Sequence, residues 1–134
     1  MATLTPTLTL TSTDAFAHQN ISISVTDSLT ITAPYSDVSR FDTGDTNDVG
    51  AGAGIIFPTG FSATTYVYVR HLGLAQDGTT ASTNLCTLSD AGGSEFMSLA
   101  AGEFAFFPVK GSEGLKAAGV GADVLLEYAY FTKG

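Results

Sequence analysis

Thr3, Thr5, Thr7, Thr9, Thr11 and Thr13 fall on one parity of the chain, and Leu4, Leu8 and Leu10 fall on the other. A two-residue period places the two sets on opposite faces of an extended strand, whereas a helix would scatter both around its axis. The pattern recurs in Ile21, Ile23 and Val25 against Ser22, Ser24 and Thr26, and in Leu29, Ile31 and Ala33 against Ser28, Thr30 and Thr32. Asp14 to Asn20 and Asp27-Ser28 separate these runs with residues whose side chains bond to nearby backbone. The N-terminal third is therefore predicted to hold two or three strands. Pro6 removes a ladder donor, which is tolerated near a strand end or on an edge. With so thin an apolar face, residues 1–12 are either an edge strand of the same domain or an extended arm that adds to a neighbouring subunit's sheet.

From residue 55 the strands become more apolar. Ile55-Ile-Phe57 stops at Pro58-Thr-Gly60, and Thr64 to Arg70 alternates Tyr66, Tyr68 and Arg70 with Val67 and Val69, as a central strand would. Gly73 to Asn84 reads as a long hairpin loop, Leu85 to Leu88 as a short strand and Ala91-Gly-Gly93 as a turn. Gly102 is expected to supply a positive φ before the chain enters Phe104-Ala-Phe-Phe107. The closing strand, Asp123 to Thr132, sets Val124, Leu126, Tyr128 and Tyr130 against Leu125, Glu127, Ala129 and Phe131. Only Gly114 to Gly121 leaves room for a helical turn. The class is predicted to be all-β, one domain spanning residues 1–134, a length that can bury a core without staples. Val67, Val69, Phe104, Phe106, Leu126 and Tyr128 are its expected core or subunit-interface residues.

Thirteen acidic against five basic side chains give a formal charge of −8, and the cations Arg40, Arg70, Lys110, Lys116 and Lys133 lie far apart in sequence. Nucleic-acid binding needs clustered cations to displace counterions, so none is expected. No apolar run approaches the roughly 20 residues of a membrane span, and the N-terminus lacks the basic and apolar regions of a signal peptide. No membrane partner is expected. Cys86 is the single cysteine, so no intrachain disulfide can form; a small strand residue without thiolate-stabilising neighbours is its expected role.

Residues 40–54 form an acidic, glycine-rich loop in which Asp42, Asp45, Asn47 and Asp48 invite a calcium reading. Their spacing fits neither an EF-hand nor a nonapeptide repeat, and a solvated acidic loop is the alternative. The glycines at 50, 52 and 54 miss the order of a dinucleotide fingerprint. His18 and His71 stand outside any nucleophile or metal-ligand spacing, and His71 is expected as a polar surface residue. Glu103 and Glu127 could face each other as a glycosidase pair, but a turn cap or solvent-facing position for Glu103 and an edge position or inter-subunit hydrogen bond for Glu127 explain them better. The chain is thus expected to be no enzyme and to carry no cofactor or metal.

The order of segments from 64 to 132 is an aromatic strand followed by Arg70, a Leu99-Ala-Ala-Gly-Glu-Phe104 turn, an apolar strand ending near Pro108, and a closing Glu127-Tyr-Ala-Tyr130 strand. This order resembles the small jelly-roll-like structural proteins of tailed-bacteriophage virions. The resemblance implies a single antiparallel β-sandwich, jelly-roll-like, acting as a non-enzymatic capsid-decoration, neck or tail protein, assembled in a host cytoplasm into the virion. It further implies a homo-oligomer, a trimer above other states, with major capsid or tail and neck proteins as partners. Candidate assembly residues are Leu4, Leu8, Leu10, Tyr66, Tyr68, Arg70, Tyr128, Tyr130 and Phe131. The long acidic loop departs from that pattern. The alternative function is a lectin-like carbohydrate-binding module using Tyr35, Tyr66, Tyr68 or the 42–48 loop, although the chain has no Trp to stack on sugars.

Overall fold

Alternation becomes twelve strands and no helix among residues 2–16, 19–43 and 54–134, which the computed structural model describes. They are β1 (Ala2–Leu4), β2 (Thr7–Phe16), β3 (Gln19–Thr26), β4 (Leu29–Tyr35), β5 (Ser39–Asp42), β6 (Gly54–Phe57), β7 (Thr64–Ala75), β8 (Cys86–Ser89), β9 (Glu95–Leu99), β10 (Phe104–Lys110), β11 (Leu115–Gly119) and β12 (Val124–Lys133). All pairings are antiparallel. One sheet runs β1-β4-β12-β7-β10, with β5 also on β12; a second runs β6-β11-β8-β9; β2 and β3 form a separate hairpin.

The register of β7 against β12 decides which face is inside. Val67 lies opposite Tyr130, Val69 opposite Tyr128 and His71 opposite Leu126, while β10 sets Phe107 against Val67 and Ala105 against Val69. These residues meet Ile56, Phe57, Cys86, Leu88, Leu99, Leu115 and Ala117 of the second sheet in one core. Phe57 stacks on Phe61 at 5.5 Å, and Tyr130 closes on both rings at 5.8 and 5.9 Å. On the far side of β12, Ser36 and Thr43 extend the backbone pairing beyond β4 and β5. Ser36 N–H donates to Tyr130 O (2.9 Å), Thr43 N–H donates to Val124 O (3.1 Å), and their hydroxyls accept from the N–H groups of Tyr130 (3.0 Å) and Val124 (2.9 Å).

Several expectations need correction. Of the two places expected for Phe104 and Phe106, the core is excluded: they are 66% and 40% exposed, because pairing with Arg70 and Tyr68 turns their parity outward and leaves Ala105, Phe107 and Val109 facing in. His71 is fully buried, since the alternation of β7 runs on past Arg70. Its Nδ1 accepts from Gly73 N–H and its Nε2–H donates to the Asn84 carbonyl, both at 2.9 Å. The carbonyl can only accept, which fixes the neutral tautomer and ties the 73–84 segment to the sheet. Residues 73–75 belong to β7 and not to the loop. Gly114 to Gly121 holds β11 instead of a helical turn, because Leu115 and Ala117 bury on one parity. Gly102 takes φ +85°, as the turn before β10 requires.

Cys86 is buried in β8, and desolvation pushes its thiol up to about 12. A raised folded-state value means the native state holds the proton more tightly than the unfolded chain. The stability this contributes is fully present below about pH 9 and is lost as pH rises toward 12. Denaturant titrations stepped through that window should show stability falling, and the fall should be shallower in Cys86→Ala. Phe57→Ala, which empties a core site, should cost about 3–5 kcal/mol, whereas Phe104→Ala in dilute solution should cost under about 1 kcal/mol. Equal losses for the two would overturn the assignment of faces.

Candidate functional site

The outer face of the larger sheet is built by the residues that the β7–β12 register turns away from the core. Tyr66 lies opposite Pro108 and Phe131, and Phe131 in turn opposite Tyr35; Tyr68 lies opposite Phe106 and Ala129. Tyr66 and Phe106 stack at 5.8 Å. These two rows make an aromatic centre. The next row carries charge, with Arg40, Glu127 and Arg70 in line across β5, β12 and β7 and Phe104 beyond them. At the opposite end Lys110 lies across from Thr64 and Lys133 across from Ile31. Four of the five cations of the chain therefore rim one face, leaving Lys116 on the second sheet.

Tyr68 joins centre to rim. Its hydroxyl donates to Glu127 Oε1 at 2.8 Å. Burial raises the phenol above its ordinary value, the Glu127 carboxylate raises it further, and Arg70 opposes both. Lys110 is paired with Glu113 at 3.1 Å.

Over this face stands the base of the β2–β3 hairpin, and between them lies an open groove of about 690 Å³. It is lined by Leu8 and Val25 of the hairpin and by Leu4, Leu29, Tyr66, Tyr68, Phe104, Phe106, Ala129 and Phe131 of the larger sheet, with Asp27 and Thr7 among the few polar groups. Within the hairpin, Leu8 pairs with Val25 and Leu10 with Ile23, so one face is aliphatic and the other is threonine and serine. All four aliphatic side chains are 45–57% exposed.

The structure gathers Leu4, Leu8, Tyr66, Tyr68 and Phe131 around this groove, places Leu10 farther out on the same hairpin face, and sets Arg70 on the groove's rim. Tyr128 and Tyr130 point to the other side of the sheet, packed against the core. Val25 belongs to the groove and was not among the candidates, and Phe104 and Phe106, expected in the core or at a subunit interface, line it as well. The signal that could have found the two phenylalanines is the Phe104-Ala-Phe106 alternation itself, once its phase against β7 is known. Ala2–Leu4 pairs with Leu29–Ile31 of its own chain, while Thr7–Ser12 lie in the hairpin.

The residues considered for chemistry are engaged elsewhere. Glu103 Oε2 accepts from Ala100 N–H at 2.7 Å and caps its turn, while Glu127 is held by Tyr68. Asp77 accepts from both Thr79 N–H and Thr80 N–H and from the Thr80 hydroxyl, which draws its carboxyl down to about 2. No group of three or more metal-ligating side chains occurs among the described residues. His18, Asp45, Asn47, Asp48, the glycines at 50 and 52 and the side chain of Asp42 lie outside them.

Glu127→Gln should lower the pKa of Tyr68, because the carboxylate that raises it is removed while Arg70, which lowers it, remains. A tyrosine-labelled NMR titration reads this directly, and an unchanged value would break the Tyr68–Glu127 link. Compared with protein-family models, with curated proteins and with solved structures, the chain has no match.

Proposed function

We propose that this chain is a non-enzymatic structural subunit that works by homo-oligomeric assembly. The observation that carries the proposal is the outer sheet face, where Tyr35, Phe104 and Phe106 are exposed beside the half-buried Tyr66, Tyr68 and Phe131 and a charged rim surrounds them. Interfaces place apolar and aromatic groups at the centre and polar groups around them, and monomeric proteins seldom expose such patches without use. The aliphatic face of the hairpin adds a second unpartnered surface to the same molecule. A closed ring, with a trimer foremost, is the state the proposal expects.

A tailed-phage virion is the proposed setting, with the subunit decorating or stabilising the capsid or forming part of the neck or tail. Its support is the segment order of residues 64–132 and the threonine-rich extended N-terminus. The jelly-roll-like sandwich belongs to the same proposal, supported by two antiparallel sheets that share one core. A sugar-binding role is less well supported: the groove offers tyrosine and phenylalanine rings but few hydrogen-bonding groups, and oriented polar groups are what give a ligand site its specificity.

Sedimentation equilibrium at tens of micromolar should give a closed oligomer, and a glycan array should give no signal. A monomer with micromolar glycan affinity would replace this proposal with the lectin-like one. In a purified particle, antibody labelling of head or tail would test the setting separately.

A further inference from the structure

We propose that the groove receives the β2–β3 hairpin of a second copy of this chain, its Leu10–Ile23 end lying on the neighbour's Phe104–Phe106 face. The inference rests on the assembly proposed above and names the contact that makes it. Two features of the hairpin point outward to another subunit.

The first is reach. A ten-residue strand such as β2 is about 33 Å long. Only its base lines the groove of its own chain, through Leu8 and Val25; Leu10 and Ile23 continue the same aliphatic face without joining that lining. The distal pair needs a floor that its own sheet does not supply. The matching floor is an apolar sheet surface of the kind every copy displays beside its own hairpin.

The second is charge. By sequence, residues 7–27 carry no lysine or arginine, and Asp27 sits at the hairpin base, while the sheet face is rimmed by Arg40, Arg70, Lys110 and Lys133. In a chain of net charge −8, approach of any two copies is opposed over most of their surfaces. Hairpin against sheet face is the pairing in which the acidic element meets the cationic rim. Glu127 and Glu113 offset part of that rim, so the face suits a weakly acidic protein element better than a phosphate backbone, which calls for several free cations. Because hairpin and groove are different surfaces, the contact is head to tail, and it closes where the rotation between copies permits a ring.

Complementation tests this contact. One variant carries Leu10→Lys with Ile23→Lys, the other Phe104→Lys with Phe106→Lys; all four sites are exposed, so both chains should keep the wild-type melting temperature within a few degrees. Each variant alone should sediment as a single chain where the wild type is oligomeric. Mixed in equal amounts they should form a one-to-one complex, since the mixture retains one intact hairpin and one intact face. Variants that each keep the wild-type oligomer would overturn this contact and leave assembly standing. A mixture that stays monomeric beside an oligomeric wild type would also overturn it. A monomeric wild type would remove both, and so would one that instead binds a labelled oligothymidylate through Phe104 and Phe106.

Discussion

The ladder between β7 and β12 is the constraint on which the rest depends. It runs from Arg70 opposite Glu127 to Thr65 opposite Thr132 without a break, in the middle of the larger sheet. Side chains alternate across a strand, so slipping one residue would send Val67 and Val69 to solvent and bring Tyr66 and Tyr68 inside. The register is held from both sides: β10 adds Phe107 beside Val67, and Ser36 and Thr43 bind β12 through side chain and backbone alike. Core and outer face are thus two results of one pairing. The same alignment that buries Leu126 presents Phe131 and Ala129 to the groove.

What could be read from residue order follows from this. Period-two patterning separated Val67 and Val69 from Tyr66 and Tyr68, where each parity keeps one chemistry; in the closing strand both parities carry rings, so Tyr128 and Tyr130 were grouped with Phe131 although they pack against the core. Phe104-Ala-Phe106-Phe107 likewise has rings on both parities, so only the partner strand decides which ring is buried. His71 was misplaced for a related reason: a polar residue looks like the end of a strand, yet its two ring nitrogens satisfied by Gly73 and Asn84 let it continue the buried row. The threonine run looked continuous to Thr13, but the chain divides around Pro6, sending Ala2–Leu4 to β4 and the remainder into the hairpin.

The cationic rim shows the limit most clearly. Positions 40, 70, 110 and 133 are dispersed in sequence and gave no basic stretch to notice, yet β5, β7, β10 and β12 bring them to one face. Linear spacing hides a surface assembled by long-range pairing. The groove has the same origin, since tertiary structure alone sets Leu8 and Val25 across from a sheet face built near the other end of the chain.

The edges of the two larger sheets are poor templates for strand addition. Strand addition needs an open, reasonably long edge, and proteins discourage it with short strands, proline and charge. Here β1 spans Ala2–Leu4 and β6 spans Gly54–Phe57, β10 carries Pro108 and Lys110, and β9 begins at Glu95. Each of these edges of the two larger sheets bears one of those marks, whereas β3 of the separate hairpin runs eight residues with neither proline nor charge. Proline is found on edge strands because its missing N–H would leave a gap in any ladder formed there, so a strand added along β10 would lose a hydrogen bond at Pro108. Association through faces carries no such penalty, and it is on the faces that this molecule leaves aromatic and aliphatic side chains uncovered. The larger sheet thus combines guarded edges with one face that is apolar at the centre and cationic at the rim.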